Sequence, residues 1–359
     1  MDLPKFLKFS ADWRPSSTNL VWLFAAFLLL TACTASADVG ATAVPATVQL
    51  SAIVTATPTA TPIPTDEPAT QPSSTPSEEK DAVSETAVPS MPTAPPTAVP
   101  TPSPTDFVNG VPVSEIVILS PETAVHIQEI FAQGQEYGRN AHAFSKLGDS
   151  AVLVDSFLTR FDDPTKYTLG EWGFLQPTID YYAGSFRRYG VATRVGLSSW
   201  GVMDPTWANK EFCNPNEVML ACEIRLFNPS VLLIHLGTND IGEAETFETN
   251  MRTIVEFCIM QGIIPILATK ADRFEGDDNH NNQILIDLAA EYQVPLWDFD
   301  AVAETLPGRG LDEDQIHLTK SLTNDYTNPD IWNSGYPVSD LTALLMLDAV
   351  RQIVEDVQP

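Results

Sequence analysis

Three short stretches carry residue types that together could cleave an acyl bond. The first is Phe144-Ser145-Lys146-Leu147-Gly148-Asp149-Ser150, the second Gly237-Thr238-Asn239-Asp240, and the third Asp314-Gln315-Ile316-His317. A serine hydroxyl is a poor nucleophile until a base removes its proton. Ser150 is the candidate nucleophile and His317 the candidate base. Asp314, three residues before His317, can hold the imidazole in one tautomer across a single turn of chain. Attack on a carbonyl generates an oxyanion that needs donors aimed at it. The side-chain amide of Asn239 and the backbone N–H of Ser150 suit that task. A glycine N–H from the loop after Val195 would be a third donor.

Such residues must be held by a frame. The stretch ending at Ser150 reads as a strand end, a tight glycine turn, and a serine where a helix could begin. That places Ser150 at the C-terminal edge of a sheet, the ligand-binding side of open α/β sheets. Asn239 follows the continuous apolar run 230–236, which marks a strand buried on both faces. Further strands are expected at 191–195, 263–268 and 294–298. Helices are expected at 121–137 with Gly138 as C-cap, weakly at 175–189, then at 246–261 with Gly262 as C-cap, 282–292 and 341–357. Strands alternating with helices imply an α/β fold with a parallel sheet covered on both faces. Right-handed crossovers then bring the motif loops to one edge.

In order and approximate spacing, Gly148-Asp149-Ser150, Gly237-Thr238-Asn239-Asp240 and Asp314-Gln315-Ile316-His317 resemble the blocks of the GDSL-type, or SGNH, hydrolases. The resemblance covers about residues 140–350. It implies a three-layer α/β/α sandwich with a central parallel sheet, flavodoxin-like, and ester hydrolysis without cofactor. It also implies an oxyanion hole built from Ser150, Asn239 and a second-block glycine. That second block departs from the family's Gly-x-Ser-Gly pattern and reads Val195-Gly196-Leu197-Ser198-Ser199-Trp200-Gly201. In one register Ser199 falls where the glycine is expected; in others Gly196 or Gly201 fills the place, and Gly201 is taken here as the third donor.

The front of the chain reads differently. Residues 1–33 combine Lys5, Lys8 and Arg14 with the apolar run 20–30, a signal-peptide pattern too short for a span of about 20 residues. Leu30-Thr31-Ala32-Cys33 resembles a bacterial lipobox, which would make Cys33 the site of lipidation and tether the protein to a membrane on its extracytoplasmic side. A plain signal peptide or signal anchor is the alternative. Stable anchoring needs more than one acyl chain. Residues 34–106 hold fourteen of the 29 prolines and no Phe, Trp or Tyr, which predicts a disordered linker. Residues 107–359 are then the hydrolase-like domain.

A net charge of −28 argues against a nucleic-acid partner, since phosphate binding needs clustered Lys and Arg. Cys213 and Cys222, nine positions apart, can close a disulfide outside the cell or remain two thiols. Cys258, within an apolar helical pattern, reads as a buried thiol. No Cys/His spacing resembles a zinc site, and neither metal nor cofactor is expected. His235 reads as a hydrogen-bonded core histidine, while His126, His142 and His280 have no evident partners. The acidic loop with Asp272, Glu275, Asp277 and Asp278, next to His280, reads as solvated, with calcium binding as the lesser alternative. Trp200, Trp207 and Trp332 read as buried aromatics or as the lining of a sugar cleft. Asp149 and Asp240 are expected to order their own turns. The resulting expectation is a lipid-anchored serine esterase acting on acyl esters, O-acetylated polysaccharide among them. A non-catalytic carbohydrate-binding module on the same fold, or an O-acyltransferase, are the alternatives.

Overall fold

A computed structural model describes residues 103–242 and 244–356. The expected export signal, Cys33 and the expected linker up to residue 102 lie outside the described residues. No helix of the described residues is long and apolar enough to cross a membrane.

The central sheet has five strands: β1 (Val117–Ile118), β2 (Asn140–Gly148), β3 (Pro229–His235), β4 (Ile264–Ala268) and β5 (Leu296–Trp297), in the spatial order β1-β5-β4-β3-β2. The pairs β2–β3, β3–β4 and β4–β5 are parallel, and β1 adds antiparallel to β5. Beyond β2 the sheet continues only as a parallel bridge from Gly148 to Thr193. Counting that segment, the parallel elements run 2-1-3-4-5, the flavodoxin order, and the chain's switch point falls at the C-terminal end of β2. Ser150 stands there, two residues past the strand.

Helices α1 (Pro121–Glu136), α2 (Met219–Phe227), α3 (Ala244–Met260), α4 (His280–Tyr292) and α5 (Gly335–Glu355) cover the sheet. The alternation of β3 shows how. Val231 and Leu233 face one core with Ile127 and Phe131 of α1 and Leu341 and Leu344 of α5. Leu232 and Ile234 face a second core with Leu220 of α2, Met251 and Ile254 of α3, and Leu285 and Leu288 of α4. The result is a three-layer α/β/α sandwich. Each such aliphatic side chain, removed from water, contributes roughly 1.5–3 kcal/mol, so the inner strands are the firmest place from which to hang loops. Helix α1 starts where Ser120 accepts the Thr123 N–H at 3.0 Å, with Pro121 in the first turn. Gly262, at φ +66°, ends α3.

Three expected elements differ. The strand at 191–195 is a single bridge, because the Val191 and Ala192 N–H groups donate to the buried Glu223 carboxylate at 2.6 and 3.1 Å. A side chain of α2 thus replaces a neighbouring strand at that edge. The helix expected at 175–189 is confined to Gln176–Tyr181, and Gly184 at φ +87° turns the chain out of it. Helix α5 begins six residues earlier than expected, because its first turns are buried all round and so lack the amphipathic period.

Cys213 and Cys222 form a disulfide that ties the loop before α2 to that helix. The free thiol of Cys258 is buried, and burial pushes its pKa up.

Candidate active site

The turn after β2 is set by crowding. A Cβ on Gly148 would stand 2.5 Å from the His235 carbonyl oxygen on the neighbouring strand, so only glycine fits. Asp149 is buried and caps the turn: its Oδ1 accepts the Ala151 N–H at 2.8 Å and its carbonyl accepts the Leu153 N–H at 3.0 Å. Burial pushes the Asp149 pKa up. Ser150 sits on this turn, and no helix follows. The apolar residues after it are drawn into the core instead, and Leu158, at φ +61°, donates its N–H to Asp340 of α5 at 2.7 Å. No acceptor among the described residues takes the Ser150 N–H.

The loop before α5 carries His317 back over Ser150. It is closed by a bridge between Leu311 and Leu318 and by the Asp312 N–H donating to the His317 carbonyl at 2.7 Å. Within it, Asp314 Oδ1 accepts the N–H groups of Ile316 and His317 at 3.0 and 2.9 Å, while Oδ2 lies 2.6 Å from His317 Nδ1. These partners, the imidazole foremost, hold the Asp314 pKa down to about 2. The other ring nitrogen, Nε2, is 2.8 Å from Ser150 Oγ. A proton on Nδ1 satisfies the carboxylate and leaves Nε2 bare to accept from the serine hydroxyl.

Asn239, just past β3, directs Nδ2 to Asp149 Oδ2 at 2.8 Å; its only other acceptor is the Leu197 carbonyl, at 3.4 Å. One amide proton is thus held firmly and the other loosely. Its own carbonyl accepts from Ser198 Oγ at 2.9 Å.

The second block departs from expectation. Gly201 lies inside the short helix Ser199–Val202, donates its N–H to the Ser198 carbonyl at 3.0 Å, and lies against the Trp207 ring, so its amide is not free to meet an oxyanion. The Ser199 N–H is also engaged, by the Asp240 carboxylate at 2.9 Å. Gly196, at φ +70°, is the third residue of a turn closed by the Leu197 N–H on the Arg194 carbonyl at 3.1 Å, a position that favours glycine for its backbone alone. Of the second-block candidates only Gly196 keeps an N–H without an acceptor among the described residues, beside the Ser150 N–H and Asn239 Nδ2, which also retain capacity.

Behind these loops lies a buried polar layer that the sequence reading did not assemble. Asp272 and Glu275 turn inward onto the fully buried Lys270 at 2.9 and 2.5 Å, and only Asp277 and Asp278 of the acidic loop are exposed. Asp272 accepts from Thr238 Oγ1 at 2.9 Å, and Asn281 Nδ2 donates to the carbonyls of Gly237 and Asp240 at 2.9 and 3.2 Å. Both fix the loop that carries Asn239. The signal available was a lysine two residues past a fully buried strand, where a free ammonium would be unsustainable. His235 is buried as expected, yet its Nδ1 has no hydrogen-bond partner among the described residues. His126, His142 and His280 have partners of their own, the Tyr292 carbonyl, the Tyr181 carbonyl and Asp278. Trp332 packs with Trp172 and Tyr326, whereas half-exposed Trp200 stands edge-on to Trp207 at 4.8 Å.

The arrangement can move a proton from Ser150 Oγ to His317 Nε2 while Asp314 stabilises the resulting imidazolium, and it offers two N–H donors beside the serine.

No family model and no curated protein matches the chain. Among solved structures it is similar to the psychrotrophic esterase EstA from a Pseudoalteromonas species, at 13% identity and TM-score 0.36 over 57% of this chain and 98% of that one. It is also similar to a GDSL-like lipase from Bacteroides thetaiotaomicron, at 13% identity and TM-score 0.35 over 64% and 98%. A carbohydrate esterase family 3 protein from Talaromyces cellulolyticus matches at 13% identity and TM-score 0.36 over 60% and 99%. Likeness at these scores carries no weight for activity, which must be argued from the residues.

Proposed function

We propose that the chain is a serine esterase that cleaves carboxylic esters through an acyl-enzyme. Ser150 Oγ attacks the ester carbonyl as His317 Nε2 takes its proton. Asp314 keeps the imidazole oriented and offsets its charge, and Ser150 N–H and Asn239 Nδ2 hold the oxyanion. The proton passes from His317 to the departing alcohol. Water, deprotonated by the same histidine, then releases the acid and restores the serine. The observation that carries this reading is the unbroken line Asp314–His317–Ser150, with separations of 2.6 and 2.8 Å. Short acyl esters, O-acetylated carbohydrate among them, are the proposed substrates, a choice motivated by the proposed extracytoplasmic location and not by the motif residues. Anchoring through a lipid on Cys33, and with it an extracytoplasmic location, is proposed from the Leu30-Thr31-Ala32-Cys33 pattern alone.

Initial rates of p-nitrophenyl acetate hydrolysis test the assignment. Wild-type turnover that falls by about 10⁴-fold or more in Ser150→Ala and in His317→Ala supports it. Turnover that survives in Ser150→Ala refutes it.

A further inference from the structure

A groove of about 600 Å³ is lined by Asp155, Ser156, Thr159, Arg160, Lys166, Arg187, Lys320, Ser321 and Leu322. Its charge is anomalous for this molecule. The chain carries −28 overall and has only 19 Lys and Arg, yet four of them meet here against one carboxylate. The floor is Arg160, almost fully buried and fixed by Asn324 Oδ1 at 2.8 Å and by the Ser321 carbonyl. Arg187 is largely exposed; its guanidinium meets Asp163 at 3.4 Å and its backbone N–H donates to Asp162 Oδ2 at 2.7 Å. Asp155 is engaged by the Tyr189 hydroxyl. The ammonium groups of Lys166 and Lys320 have no acceptor among the described residues. Cations gathered in a concave surface focus their field and attract anions well beyond the reach of a single exposed charge.

The groove is walled by the two segments that run on from the reacting residues. Asp155 to Arg160 follow Ser150, and Lys320 to Leu322 follow His317. With Cα atoms about 3.8 Å apart along the chain, the Cα of Lys320 lies within about 11 Å of the Cα of His317. We propose that this groove is an anion subsite of the active centre, which binds a carboxylate or phosphate carried by the ester substrate itself. The proposal rests on the esterase reading and adds to it the charge of the substrate.

The test compares three O-acetylated compounds in the full-length protein: an oligogalacturonate, a sugar phosphate and a neutral xylo-oligosaccharide. At low salt, kcat/KM for at least one anionic ester is expected to exceed that for the neutral one by about tenfold. The preference, carried by KM, should shrink as salt screens the groove. It should collapse in Lys166→Ala/Lys320→Ala but persist in Lys210→Ala, an exposed lysine outside the groove. Which anionic ester is preferred tells carboxylate from phosphate. No preference, or one that survives the double substitution, overturns the proposal. If no ester is turned over, the esterase reading fails, and calorimetry of the same compounds then reads the groove alone. Salt-sensitive binding of an anionic compound, lost in the double variant, upholds the subsite; its absence overturns it.

Discussion

Asp240 reaches out of its own loop to take both the N–H and the hydroxyl of Ser199, at 2.9 and 2.6 Å. The residue after Asn239 therefore orders the second-block loop, and burial pushes the Asp240 pKa up while the Ser199 donors pull against it. Asn250 of α3 adds a bond to the Ser199 hydroxyl at 3.1 Å. Asp240→Ala leaves a buried N–H without its acceptor, which costs about 1–3 kcal/mol. Urea unfolding is expected to show that loss, with kcat/KM falling at least tenfold as the loop shifts. Asp240→Asn, which keeps one acceptor oxygen, should lose less on both counts.

Asn239 has one amide proton anchored on Asp149 and the other on a long contact to Leu197. That geometry positions the side chain without exhausting it. Asn239→Ala should lower kcat by about 10²–10³ with KM little changed, the signature of a donor used mainly in the transition state. Steady-state kinetics on p-nitrophenyl acetate would show it. A change confined to KM would assign Asn239 to ground-state binding instead.

Asp340, fully buried in α5, accepts from Leu158 and Asn324 at 2.7 and 2.8 Å, yet burial raises its pKa to about 7. An unfolded aspartate titrates near about 3.9. Between the two values the unfolded chain has released this proton and the folded chain retains it, so stability falls as pH rises from about 4 to 7. The change is at most about 4 kcal/mol. Urea midpoints at pH 4.5 and 7.5 should therefore diverge more in the wild type than in Asp340→Asn. Equal divergence would mean that Asp340 ionises freely in the fold.

The Cys213–Cys222 bridge closes a loop with a sequence separation of nine. Loop-closure entropy for that length corresponds to roughly 2.5 kcal/mol. Reduction, or Cys213→Ser/Cys222→Ser, is expected to lower the urea midpoint accordingly. Because α2 also supplies Glu223 to the sheet edge, the loss should extend to amide protection at Val191 and Ala192 in hydrogen exchange.

How much of this was legible in the sequence depended on the range of the interaction. The apolar run 230–236 announced β3 because a strand buried on both faces leaves an unbroken signature. Gly262 and Gly138 marked helix ends through a local backbone need. Asp314 and His317 lie three residues apart, so their pairing could be read from spacing, and the order of the three blocks suggested Ser150 as their partner. The Glu223 carboxylate in place of a strand was not legible, because the residues it serves are over thirty positions away. The same holds for Asp240 on Ser199, forty-one positions apart, whereas Lys270 lies only two and five residues from Asp272 and Glu275, and what hid that cluster was its burial, which the charged loop's composition disguises. Gly201 was misplaced for a related reason: a glycine's type announces backbone freedom but not which neighbour already holds its N–H.

The central claim is that His317 activates Ser150, and covalent labelling of the folded protein with a fluorophosphonate tests it most directly. Mass spectrometry of the digested adduct is expected to place the label on Ser150 in the wild type, with no label in Ser150→Ala and labelling slowed by orders of magnitude in His317→Ala. A folded wild-type protein that takes no label, or that labels Ser150 at the same rate without His317, would contradict the account.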